Sequence, residues 1–282
     1  MQNQRFDSTP TQATNNQDKS SSNTNTAPIG IMAALEQEIS AVLNNMGDSV
    51  TIHTIAGRRY YAGELHGQHY VVVLSRVGKV AAASTVTTLI NQFNVRCVVF
   101  TGLAGGVHPD AQVGDIVIGS SIYQYDLDAS PLFPKFSVPL LNKTFFDGDE
   151  KLSQTIKEAC IDYLDNDFAT NFDTEDKKRF FQRQKPQLHQ GLIGSGDLFV
   201  NALEKQNLIA EEMPSTLCVE MEGAAVAQVC YEYEIPFAIF RIISDRADFK
   251  ANLDFSEFLS EVAPNYASPI LRRLLMQLSK ED

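Results

Sequence analysis

The chain has 282 residues, 44% of them hydrophobic, which is enough to bury a full core in one large domain. Its formal charge of −12 at pH 7 argues against attraction to nucleic-acid backbones or anionic membrane surfaces, since both need basic patches. Small molecules are the expected partners, with no nucleic acid and no membrane.

Residues 1–28 are dominated by Asn, Gln, Ser and Thr and predict a disordered polar tail, because they offer too little apolar surface to offset the entropy of ordering. The tail lacks the apolar core of a secretory signal, and no run in the chain is long and apolar enough to span a bilayer. Cys97, Cys160, Cys218 and Cys230 are scattered, with no CxxC pair and no His at metal-ligand spacing. They read as reduced thiols in a cytoplasmic protein, and neither a metal nor a cofactor is expected.

The domain is expected over 29–282. IGIMAAL (29–35) is a short apolar run consistent with a buried strand, followed by Glu36, Gln37, Glu38 and an amphipathic run to Met46. Glu36 and Glu38 cannot both face one pocket from a helix, and taken alone both read as ordinary first-turn acids favoured by the helix dipole. TIHTIAG, RRYYAGELHG and QHYVVVLSR are strand-like pieces separated by Gly-containing turns, which predict an antiparallel meander. SRVGKVAAASTVTTLINQF (75–93) predicts a turn and a helix. Its Gly78-Lys79 pair fails as a phosphate loop, for want of the spaced upstream glycine and the following Ser or Thr.

VRCVVFTGLAGGVHPD (95–110) is a buried strand running into Gly102, Gly105 and Gly106, which do not match GxGxxG but allow a ligand to approach the backbone. Residues 113–129 predict another β-rich stretch behind a Val113-Gly114-Asp115 turn. Residues 130–148, with three prolines and four phenylalanines, fit neither a helix nor a central strand. A helix is expected over 149–166, and the charged stretch 167–188, with its interspersed aromatics, reads as a surface insertion.

QGLIGSGDLFVN (190–201) returns to a strand ending in a polar turn with Ser195, Asp197 and Phe199, and EKQNLIAEEM is a helix that Pro214 ends. In LCVEMEGAAVAQVC (217–230) a buried strand meets a small-residue helix, so Glu220 and Glu222 sit at a strand-to-helix junction. Ligands of open α/β sheets bind at such junctions. Each glutamate is either a fixed acceptor for hydroxyl groups or a buried acid satisfied by backbone donors or an arginine. IPFAIFRIISDRADF (235–249) is a long buried strand interrupted by Arg241, whose burial predicts a carboxylate partner, with Glu220 the nearest in kind. Residues 254–279 predict one amphipathic helix. The order of elements predicts an α/β single domain with a mixed central β-sheet flanked by helices, and Glu38, Glu222 and Asp245 stand at three strand ends.

Five separated stretches, IGIMAALEQEI, SRVGKVAAA, TGLAGG with VGDIV, GSGDLFVN, and VEMEGAAVAQVC followed by SDRAD, together resemble the 5′-methylthioadenosine/S-adenosylhomocysteine nucleosidases of the nucleoside phosphorylase fold group. The resemblance implies a homodimeric N-glycosyl hydrolase. In it Glu38 activates water, Asp245 protonates the purine, Glu222 binds the ribose hydroxyls, Met221 packs on the ribose, Phe199 stacks on adenine, and Val200 reads the base through its backbone. It also places Ser244 and Gly105 on the substrate, and Phe133, Phe136 and Val77 as candidates for an apolar 5′ pocket. Three departures stand out from the family pattern: Leu103 for a serine, Arg76 for a glycine beside the ribose, and Phe100 where phosphorylases of this fold group carry a phosphate-binding arginine. A phosphate-dependent phosphorylase of the same fold and a nucleoside-binding protein without turnover are the rival readings.

Overall fold

The structure, a computed structural model, describes residues 27–39, 43, 50–65, 67–181 and 183–279. The expected tail, apart from residues 27 and 28, lies outside them, as does most of the amphipathic run to Met46.

In chain order the elements begin with β1 (Ile29–Ala33), a single 3-10 turn (Glu36–Glu38), β2 (Thr51–Ile55), β3 (Arg58–Leu65), β4 (Gln68–Leu74) and α1 (Lys79–Phe93). There follow β5 (Cys97–Gly106), β6 (Ile116–Gln124), the two-residue β7 (Phe146–Asp147), α2 (Glu150–Asn166), α3 (Phe168–Asn171) and α4 (Thr174–Phe180). The last are β8 (Leu188–Ser195), α5 (Leu203–Glu212), β9 (Thr216–Glu220), α6 (Gly223–Glu232), β10 (Phe237–Asp245), α7 (Ala251–Glu261) and α8 (Ala263–Leu278).

The expected mixed sheet flanked by helices forms, in the order β10-β6-β8-β9-β5-β1-β4-β3-β2. Apolar runs such as β1 and β10 are buried along their whole length, as strands covered on both faces must be. The meander β2-β3-β4 pairs antiparallel in register, and β4 joins β1 in parallel. The sheet also closes on itself: β10 pairs with both β6 and β5, and β9 with β8 and β5, so five strands make a small barrel.

Three expectations need correction. Gly102, Gly105 and Gly106 lie inside β5 rather than in a turn after it, because the strand needs bare backbone there: a Cβ on Gly105 would stand 2.9 Å from Asp245 Oδ1, and one on Gly102 3.2 Å from Glu38 Oε1. The C-terminal segment forms two helices. Pro264, lacking an N–H and crowding the preceding turn, is best accommodated in the first turn of a helix, and α8 starts accordingly, although it also carries Pro269 in its interior. Finally, the stretch 167–188 is not confined to the surface: Phe168, Phe172 and Phe181 are buried around Tyr266 of α8, which they meet edge-on, tilted and stacked respectively.

Candidate active site

A cavity of about 510 Å³ opens where β1, β5, β9 and β10 end, and Glu38, Glu220, Glu222 and Asp245 all contribute to its wall. Each carboxyl arrives by a different local device.

Glu38 ends the 3-10 turn after β1. It folds back on its own chain, so that Oε2 accepts from the Ala34 and Leu35 N–H groups at 2.9 and 2.8 Å, while Oε1 accepts from the Leu103 N–H at 3.1 Å. Glu36, two residues earlier, is exposed, as the geometry of a helical turn requires. Burial pushes the Glu38 carboxyl up from its ordinary range, against the pull of those three amides and the Arg241 charge.

Asp245 ends β10 opposite Gly105 of β5. Its Oδ2 accepts from the Ser244 hydroxyl at 2.9 Å and its Oδ1 from the Ala247 N–H at 2.8 Å. Burial nevertheless raises it to about 6.

The junction of β9 and α6 carries the two glutamates to which the sequence gives different roles, Glu220 as the partner of Arg241 and Glu222, by resemblance, as the ribose ligand. Glu220 is saturated: it accepts from the Ser195 hydroxyl, from the Glu222 and Gly223 N–H groups, and from Arg241 Nη2 at 2.7 Å. A Cβ on Gly223 would fall 2.9 Å from Glu220 Oε1, so this clasp requires a glycine. The buried Arg241 also donates through Nη1 to the Phe100 and Phe240 carbonyls and lies 4.1 Å above the Phe100 ring. The expected Arg241–Glu220 pair is therefore present and internally satisfied. Glu222 accepts from the Gly78 N–H at 2.8 Å and leaves further acceptor capacity towards the cavity. Its carboxyl is raised, by burial first and by Glu220 second.

Met221, Phe199, Val200, Ser244, Gly105 and Val77 all line the same cavity, whose wall draws on residues from Ala34 to Leu259. Phe199 meets Phe255 of α7 edge-on at 5.6 Å. Phe133 and Phe136 do not line it. Phe136 is buried beside Tyr123, with their rings 5.7 Å apart, and Phe133 is half-buried elsewhere. Arg76 also stays outside the cavity wall: its backbone holds the left-handed φ of +67° that a glycine adopts freely, and its side chain donates to the Gly57 carbonyl. Sequence reasoning missed Leu198, Phe255 and Leu259 in the wall. The last two are four apart on α7, a spacing that marks one helix face but does not say which face meets a cavity.

Among the described residues no lysine, arginine or histidine lines the cavity, and no cluster of His, Cys, Asp and Glu could hold a metal ion. The site can thus exchange protons through carboxyls, accept hydrogen bonds from hydroxyls, and sandwich an aromatic ring between apolar side chains.

A profile of the phosphorylase superfamily matches residues 28–275. A 5′-methylthioadenosine/S-adenosylhomocysteine nucleosidase of Haemophilus influenzae (strain PittGG) is 34% identical over 244 residues, 86% of this chain and 96% of its own. Among solved structures, the nucleosidase of that name from Neisseria meningitidis, in complex with methylthio-immucillin-A, superposes with a TM-score of 0.77 at 33% identity, over 89% of this chain and 99% of the other. The futalosine hydrolase of Helicobacter pylori strain 26695 superposes with a TM-score of 0.75 at 29% identity, over 89% and 98%.

Proposed function

The chain belongs to the phosphorylase superfamily, with the 5′-methylthioadenosine/S-adenosylhomocysteine nucleosidases among its relatives, and on that premise we infer the chemistry of its cavity. The protein is a nucleosidase: it hydrolyses the N-glycosidic bond of 5′-thio-substituted adenosines, releasing adenine and the thioribose. The observation that carries water rather than phosphate as nucleophile is the lack of any lysine, arginine or histidine among the described residues of the cavity wall. A phosphate dianion there would find no positive side chain to neutralise it. The Phe100 ring, buried under Arg241, is in keeping with this.

The geometry supports a division of labour among the carboxyls. Cleaving the bond leaves positive charge on the sugar and negative charge on the departing purine. Asp245, raised to about 6, is a carboxyl able to carry a proton near neutrality and give it to the base. Glu38, held as an acceptor by three amides yet raised by burial, suits removal of a proton from water. Glu222 retains acceptor capacity for the ribose hydroxyls and so would fix the orientation of the sugar. Phe199, with Phe255 behind it, offers a face to adenine, and Val200 stands beside it on the wall. Glu220, saturated by Ser195, two amides and Arg241, acts as scaffold.

Val77 and Leu198 line the cavity yet remain 52% and 39% exposed in the single chain. Their exposure supports a homodimer in which the partner's 130–148 loop, bearing Phe133, would complete an apolar 5′ pocket. A cytoplasmic location and a part in methionine salvage fit the reduced cysteines and the substrate class.

The deciding experiment measures adenine release from methylthioadenosine, S-adenosylhomocysteine, 5′-deoxyadenosine and futalosine, with and without phosphate. Turnover of the thioadenosines without phosphate is expected. A strict requirement for phosphate would refute hydrolysis.

A further inference from the structure

The Gly78-Lys79 pair, which fails as a phosphate loop, has another use. Gly78 opens α1 with φ +98° and has no side chain to cap it. Its N–H donates to Glu222 Oε1 at 2.8 Å, and the next N–H, of Lys79, donates to Asp197 Oδ1 at 2.8 Å. Two carboxylates, 144 and 118 residues away in the chain, thus occupy consecutive amides at a helix start, where unpaired N–H groups and the dipole favour anions. The approach is close: a Cβ on Gly78 would lie 3.2 Å from Asp197 Oδ1.

The Lys79 side chain crosses the same gap. Its Nζ stands 2.5 Å from Asp126 Oδ1 and 3.0 Å from Gln124 Oε1, while Asp126 Oδ2 accepts from the Asp197 N–H at 2.9 Å. Gln124 in turn donates to Gln228 of α6, the helix that begins directly after Glu222. Asp197 also immediately precedes the segment Leu198–Val200, all of which lines the cavity. One exposed carboxylate therefore joins the base-side loop to the Lys79 N–H, the amide next to the Gly78 N–H that orients the sugar-side glutamate.

We propose that Asp197 is a positioning residue for ribose recognition, acting with Lys79 and Asp126 through the start of α1 to hold Glu222 in register with the base-side loop. The proposal rests on the nucleosidase reading and on Glu222 as the ribose acceptor. Because Asp197 is exposed, its carboxylate contributes little to folding. Its effect lies in geometry, since small displacements of a binding group weaken productive orientation.

The test compares wild type, Asp197→Ala and Asp197→Asn on methylthioadenosine and on its 3′-deoxy analogue, which offers Glu222 one hydroxyl fewer. Asp197→Ala should lower kcat/KM for methylthioadenosine about tenfold, the range of one hydrogen bond to a charged group, and lower it about twofold or less for the analogue. Asp197→Asn, which keeps an oxygen to accept from the Lys79 N–H, should recover most of the loss. Equal losses on both nucleosides, or no loss, would overturn the positioning role while leaving the nucleosidase intact. A wild type that releases no adenine from methylthioadenosine would overturn the nucleosidase reading, and this proposal with it.

Discussion

At the scale of single residues, the site depends on giving similar carboxyls different surroundings. Asp245 meets one hydroxyl and one amide, Glu38 three amides, and Glu220 an arginine with two amides and a hydroxyl. With Asp245 raised to about 6, its proton is present below that pH and lost above it, so kcat/KM should fall on the alkaline side. Asp245→Asn should still bind a non-hydrolysable analogue, lose turnover by about two to four orders of magnitude, and show no alkaline limb in its residual rate. A pH profile and a calorimetric titration check both parts, and unchanged turnover would remove Asp245 from the acid role. The residue types were legible in the sequence, and so was the partner of Arg241, because a buried guanidinium must find a carboxylate. The Gly78 and Lys79 amides were not legible, since a backbone N–H has no signature of its own.

Individual elements were most readable where apolar periodicity was simple. β1, β4, β5 and β10 fall where apolar runs place them, in β10 despite the interruption by Arg241. The stretch 167–188 was read wrongly as surface only, because its charges outnumber its aromatics while burial selects the aromatics alone. Phe181 sits against Phe168, Phe172, Phe258 and Tyr266, and a Cβ on Gly114 would come 2.2 Å from its ring. Phe181→Ala should therefore cost about 3–5 kcal/mol of stability, the range for deleting a buried phenyl ring, while KM changes little because this ring lies outside the cavity wall. Denaturant unfolding read beside kinetics would test it. A loss under about 1 kcal/mol would show that the segment is not anchored.

For the whole molecule, closing five strands into a barrel gathers the ends of β5, β9 and β10 on one cavity, and β1, next to β5, brings Glu38. Burying those carboxyls has a thermodynamic consequence. Asp245 binds its proton more tightly folded than unfolded, so between its ordinary 3.8 and about 6 the native state holds the extra proton and stability falls as pH rises. Glu38 and Glu222, also raised, add to the same slope. Relative to Asp245→Asn, the wild type should lose melting temperature between about pH 4 and about pH 6, and parallel curves would contradict the burial argument. By itself the sequence determined the α/β class, most of the strands, the carboxyls and the family resemblance, because these follow from local periodicity and residue chemistry. Only the tertiary structure decided that Gly78 holds Glu222, that Phe136 turns away from the cavity, and that α7 covers it. Those depend on contacts between segments far apart in the chain, whose geometry no local pattern carries.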